Sequence, residues 1–237
     1  MTALVLLPGM DGSGHFFRAF CQQLRPGIVP LVIAYPPDQA LDYRGLADFV
    51  RARLPRDQPY FLLGESFSGP VAIALAAEKP ALLAGLILSC TFARNPVRCM
   101  RALRPLVRFA PLSSRLSALA APFLLGWNAP AALRDTLRTV LKGTPARVLR
   151  MRLREVLAVD YSQRAAAIAV PVLYLQAAQD RVVLASSGRH LATLLPSLEM
   201  ERLKGPHLLL QVAPVDAAAR VMAFMEAHRP RAALARG

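Results

Sequence analysis

Six short apolar runs, bounded by turn residues, recur along this chain: ALVLL, IVPLVIAY, YFLLG, LAGLILS, PVLYLQA and the weaker LEMERL. Each has the length of a strand and is rich in Val, Ile, Leu or Tyr, as parallel strands buried on both faces are. Helical stretches are expected between them, near 15–25, 43–54, 67–78, 185–195 and 214–228. Strand and helix in alternation predict a doubly wound α/β architecture with a mostly parallel sheet of about six strands. A chain of 237 residues buries a full core without disulfides.

One segment breaks the alternation. Residues 92–164 carry Arg at helical spacing, apolar residues between, and Pro at 96, 105, 111, 122, 130 and 145, which chop the run into several short helices. The expectation is a core of residues 1–91 and 165–237 with a helical, Arg-rich cap, 92–164, inserted between two strands. The charge follows the same division: the segment holds 14 Arg or Lys against 3 acids, so it carries +11 of the chain's net +14. The final RPRAALARG is read as a frayed tail.

No stretch of 18 residues runs free of charge or proline, which argues against a membrane span. MTALVLLPGM has no basic residues before its apolar run and passes straight into a glycine-rich loop, so it is read as a strand and not a leader. Cys21, Cys90 and Cys99 have no metal spacing and form an odd, scattered set, and the four histidines form no metal motif. The expectations are a cytoplasmic protein with no metal and no cofactor.

The chemistry is concentrated in three loops. GESFSG follows the YFLL strand and precedes a helix, where a serine is forced into a sharp turn with its hydroxyl exposed at the sheet's C-terminal edge. Gly64 stands two residues before Ser66, and small Ser68 stands two after it. Ser68 is the poorer nucleophile, because Pro70 would then occupy a position that demands a small residue. Asp180 lies just past PVLYLQA, and His207 follows the next strand in a Gly-Pro-His turn. Ser, Asp and His, in that order and each after a strand, are the set a nucleophilic hydrolase needs. The loop LLPGMDGSGHFF after the first strand can aim the Met10 N–H at an oxyanion, with the Phe67 N–H as second donor. It contains neither G-x-G-x-x-G nor G-K-[ST], and Asp11 would repel phosphate, so nucleotide binding is the weaker reading.

Over essentially its whole length the chain resembles the α/β-hydrolase superfamily, on Ser66 in GESFSG, Asp180 in AAQDRVV, His207 in KGPHLLL and the loop LPGMDGSG. LPG-x-DG together with GES-F-x-G is more particularly similar to a branch of small esterases, lipases and thioesterase-like hydrolases. The resemblance implies the α/β-hydrolase fold with the family's usual first two strands missing. It also implies a serine esterase that cleaves acyl esters through a Ser66–His207–Asp180 triad and an acyl-enzyme.

Substrate specificity is less constrained. Phe92, Phe109, Phe123 and Trp127 are candidates to line an acyl cleft, against the plainer alternative that they pack the cap onto the core. The arginines admit three readings: a solvated helical face, a surface that steers an acidic partner such as acyl carrier protein, or a contact with anionic lipid. Nothing supports nucleic-acid binding. Acyl transfer to an alcohol and a non-catalytic ligand-binding member of the fold are the alternatives to hydrolysis.

Overall fold

The computed structural model describes residues 2–109 and 121–230. Pro111 and most of the RPRAALARG tail lie outside the described residues. The strands are β1 (Thr2–Leu7), β2 (Ile28–Val32), β3 (Tyr60–Glu65), β4 (Leu83–Ser89), β5 (Val172–Ala177) and β6 (Leu198–Leu203). They form one sheet in the order β2-β1-β3-β4-β5-β6, and every neighbouring pair is parallel. The chain therefore starts one strand in from an edge, fills that edge with β2, then crosses back over β1 and proceeds strand by strand to the other edge.

The central strands are apolar on both faces because both faces are covered. Along β1, Ala3, Val5 and Leu7 enter one core cluster and Leu4 and Leu6 the other, as the two-residue period of a strand requires. Each such fully buried Leu or Val contributes about 1.5–3 kcal/mol. The stretch IVPLVIAY departs from this pattern. Only Ile28–Val32 is strand, it is the edge, and Val29, Leu31 and Val32 are exposed. Pro30 explains the placement, since a residue with no N–H is tolerated only where no second neighbour needs it.

The helices on the two faces are α1 (Arg18–Cys21), α2 (Tyr43–Arg51), α3 (Gly69–Ala77), and, after the insertion, α7 (Ala185–Leu194), α8 (Leu209–Val212) and α9 (Pro214–Ala227). Helix α2 starts where the Asp42 side chain accepts from the Gly45 N–H at 2.7 Å. Helix α3, GPVAIALAA, has no polar face and is buried on every side but one end, as a helix apolar all round must be. The expected helix at 15–25 is shorter: a 3-10 turn at His15–Phe17 runs into α1 and stops at Cys21.

Between β4 and β5 the described residues are helical: a 3-10 stretch at Arg98–Phe109, then α4 (Ala131–Gly143), α5 (Ala146–Ala158) and α6 (Ser162–Ala166). Pro130 and Pro145 stand at the N-caps of α4 and α5, where a missing N–H costs nothing. Helix α5 is tied to loops of the core. Arg147 Nη2 donates to the Asp38 carbonyl at 2.7 Å, and Glu155 Oε2 accepts from the Tyr43 N–H at 3.1 Å.

The junction of β3 and α3 is tightly packed. A Cβ on Gly64 would sit 2.8 Å from Ala72 Cβ and 2.9 Å from the Ser68 carbonyl, and one on Gly69 only 1.9 Å from Thr91 Oγ1. Gly69 has ordinary helical dihedrals, so glycine is needed there for space alone. Gly69→Ala is expected to destabilise the fold by about 1–3 kcal/mol, lowering Tm by at least a few degrees. Because Thr91 is the obstacle, Gly69→Ala combined with Thr91→Ala should cost less than the two single changes added together, as measured by thermal denaturation.

Candidate active site

Strand β3 ends at Glu65 and the next residue, Ser66, adopts φ 50. A left-handed conformation for a non-glycine residue costs on the order of 1–3 kcal/mol and persists only where the surroundings enforce it. Here Thr91 Oγ1 donates to the Ser66 carbonyl, and the Tyr174 hydroxyl donates to the Thr91 carbonyl at 3.0 Å. The turn is thereby braced from β4 and β5.

The structure brings Ser66, Asp180 and His207 together. Ser66 Oγ lies 2.8 Å from His207 Nε2, and His207 Nδ1 lies 2.8 Å from Asp180 Oδ2. The side chains of His207 and Asp180 are 2% and 3% exposed, so the pair is shielded from water. The other Asp180 oxygen accepts from the N–H groups of Val182 and Val183, both at 2.8 Å. A carboxylate committed on one side to two backbone donors presents its second oxygen to the imidazole in one orientation. The two loops are linked as well, since Gln179 Oε1 accepts from the Gly205 N–H at 2.6 Å.

Met10 and Phe67 flank the serine. A Cβ on Gly9 would stand 4.0 Å from Ser66 Cβ, so the loop after β1 passes directly beside the hydroxyl-bearing turn. The Gly9 carbonyl accepts from the Gly12 N–H at 3.0 Å. In a trans peptide the N–H opposes the C=O, so the Met10 N–H points the other way, out of the loop. Phe67 is the second residue of the 3-10 turn Ser66–Ser68, where backbone N–H groups have no partner within the turn.

Ser68 does more than fill a small-residue position. It is fully buried, and its hydroxyl donates to the Pro8 carbonyl. That leaves Tyr35 OH to donate to Ser68 Oγ, at 2.5 Å. The glycine expected at 68 is displaced to 69 for two local reasons. Thr91 crowds position 69, and the hydroxyl at 68 ties the turn to the loop after β1.

The aromatic residues separate. Phe92 is buried in the core cluster that contains Phe67, whereas Phe109, Phe123 and Trp127 are 68%, 46% and 70% exposed. Trp127 borders a cleft of about 360 Å³ that is also lined by Leu125, Gln179, Arg181, Pro206 and Val212. Gln179 and Arg181 flank Asp180 in sequence and Pro206 precedes His207, but none of Ser66, Asp180 and His207 lines this cleft. Leu208 N–H donates to the Leu124 carbonyl at 2.8 Å, fixing the cleft wall to the His207 loop.

Behind the serine lies a pair that the sequence did not single out. Glu65 is 2% exposed, and burial pushes its carboxyl up to about 8, with the neighbouring Asp11 adding to the rise and the Gln211 hydrogen bond opposing it. Gln211 Nε2 donates to Glu65 Oε1 at 3.0 Å, while Gln211 Oε1 is buried with no partner among the described residues.

The whole arrangement has known counterparts. The family profile described as serine aminopeptidase, S33, matches residues 37–205. The chain belongs to this hydrolase family. No curated protein sequence matches the chain. Among solved structures, a lipase-esterase related protein from Clostridium acetobutylicum superposes with a TM-score of 0.80 at 14% identity, covering 94% of each chain. An esterase from Exiguobacterium antarcticum gives 0.81 at 15% identity, over 95% of this chain and 92% of that one. The enol-lactonase from Burkholderia xenovorans gives 0.79 at 18%, over 95% and 91%. At such identities the likeness is one of fold, and the fold is the α/β-hydrolase fold. Among the described residues no helix is long and apolar enough to cross a membrane.

The Glu65 pair has a measurable consequence. A carboxyl that titrates near 8 in the fold and near 4.5 when unfolded stabilises the fold fully below about pH 4.5, and that contribution is lost as pH rises through 8. Glu65→Gln keeps the shape but cannot ionise. Its Tm is expected to match wild type near pH 5 and to exceed it increasingly up to about pH 9, by on the order of 5 °C.

Proposed function

We propose that the protein is a serine esterase that cleaves carboxylic acyl esters through Ser66, His207 and Asp180. The observation that carries this reading is the unbroken run of two 2.8 Å contacts from the Ser66 hydroxyl through the imidazole to a buried carboxylate. His207 Nε2 takes the Ser66 proton as Oγ bonds to the acyl carbon. Asp180 fixes the tautomer with the proton on Nδ1 and stabilises the imidazolium that forms. The carbonyl oxygen, now an alkoxide, is received by the N–H groups of Met10 and Phe67. Collapse of the tetrahedral intermediate breaks the ester C–O bond, and His207 Nε2 returns the proton to the departing alcohol. Water then repeats the sequence on the acyl-enzyme, releasing the acid and free Ser66.

We take residues 92–164 as the cap and the exposed Phe109, Phe123 and Trp127 as the acyl-site candidates, in preference to Phe92, which is buried in the core. The +11 charge of that segment bears on the choice between ester and peptide substrates. An aminopeptidase must hold a free ammonium, which a strongly cationic surround repels. An acyl ester, neutral or carried by an acidic partner such as acyl carrier protein, meets no such penalty.

The test is turnover of p-nitrophenyl acyl esters from acetyl to long chain, beside aminoacyl p-nitroanilides. Wild type should hydrolyse the esters and prefer them to the anilides. Ser66→Ala and His207→Ala should each lose on the order of 10³-fold or more in kcat, with Asp180→Asn somewhat milder, while all three keep the wild-type Tm within a few degrees. Anilide turnover exceeding ester turnover would move the assignment to peptide bonds, and no turnover of either would favour a ligand-binding role.

A further inference from the structure

Arg152 stands apart from the other arginines of its segment. It is 2% exposed and ranks among the largest fully buried side chains. It lies on α5 four residues after buried Val148, hence on the face turned to the core. Its Nη1 donates to the Met10 carbonyl at 2.7 Å, across 142 residues of sequence. A Cβ on Gly12 would sit 2.6 Å from Nη1 and from Nη2, so glycine at 12 leaves the room the guanidinium fills. The same group lies 5.6 Å from the Tyr35 ring centroid and 5.9 Å from that of Phe67.

Burying a guanidinium is costly unless its surroundings compensate the charge. Here the compensation comes from the Met10 carbonyl, two ring faces and the field of Asp11. All of it lies in or against the loop after β1 and the Ser66 turn. Three successive carbonyls of that loop are thereby occupied: Pro8 by the Ser68 hydroxyl, Gly9 by the Gly12 N–H, and Met10 by Arg152. With these carbonyls held, the Gly9–Met10 peptide cannot rotate, and the Met10 N–H stays directed out of the loop.

We infer that Arg152 is a positioning residue for the oxyanion site: it reaches from the segment between β4 and β5 to hold the Met10 peptide, and so makes full activity depend on the seating of that segment. This rests on the esterase reading above. Arg152 acts through Met10 and touches neither the acyl carbon nor the leaving group. A loop free to rotate by the equivalent of an ångström at the oxyanion donor is expected to cost up to about 10²-fold in rate.

The experiment compares wild type, Arg152→Lys and Arg152→Ala on a neutral p-nitrophenyl ester and on one whose acyl chain ends in a carboxylate. Expected is a kcat loss of about 10–100-fold for both variants and both esters, with KM changed by less than about threefold. Added guanidinium or ethylguanidinium at millimolar concentration should restore part of the kcat of Arg152→Ala and leave Arg152→Lys unaffected. Should Arg152→Ala not fold, the kcat and KM of Arg152→Lys carry the test. Unchanged kcat with a lowered Tm would make Arg152 a purely structural link, and a loss confined to the KM of the carboxylate ester would make it a substrate anchor. Either result overturns the positioning role while leaving the esterase reading intact. A wild type inert towards both esters overturns both.

Discussion

The backbone at Ser66 is the constraint from which the rest of the site follows. Strand β3 passes through the short 3-10 turn Ser66–Ser68 into α3 because Ser66 turns left-handed, and a side chain on such a strand-to-helix turn projects outward at the sheet edge. The cost is offset by bonds from beyond the strand itself: Thr91 to the Ser66 carbonyl, and Tyr174 to Thr91. Close approach of helix to strand makes the same demand on the neighbours, which is why Gly64 and Gly69 have no room for a methyl group. Strain at the serine and tight packing beneath it are two expressions of one geometry.

Parallel topology then does most of the assembly. Because all six strands run the same way, the loops after β1, β3, β5 and β6 meet at one edge, and these carry Met10, Ser66, Asp180 and His207 respectively. Direct hydrogen bonds lock them in pairs: Ser68 to the loop after β1, and Gln179 to the loop after β6. The segment after β4 closes the set from above through Arg152 and the Leu124–Leu208 contact. Hydrogen bonds between loops thereby tie together a site distributed over five of them.

The strand pattern and the meeting of Ser66, Asp180 and His207 were legible in the sequence because each depends on local signals: apolar runs of strand length, small residues around Ser66, and an acid and a histidine just past strands. IVPLVIAY was readable as a strand but not as an exposed edge, since pairing order is a tertiary property that only Pro30 hinted at. Ser68 was readable as small, yet its bonds to Pro8 and Tyr35 join residues 60 and 33 positions away and leave no local trace. Arg152 was one of 14 basic residues at helical spacing. Its place four residues after Val148 was the single clue that it faced inward while Arg101, Arg104 and Arg108 faced out. Glu65 was hidden for a different reason, because its amide partner Gln211 lies beyond His207 in a short helix with no motif of its own. The exposure of Phe109 and Trp127 turns on how short helices seat on one another, which periodicity does not encode.

The central claim, that the strained turn presents an activated serine to His207 beside an oxyanion site, is tested most directly by covalent labelling. An alkyl fluorophosphonate places a phosphoryl oxygen where the oxyanion would form and traps only an activated nucleophile. The account predicts stoichiometric modification located by peptide mass spectrometry on Ser66, abolished in Ser66→Ala and slowed on the order of 10²-fold or more in His207→Ala. Modification at another serine, or an unmodified Ser66 in the folded protein, would contradict it.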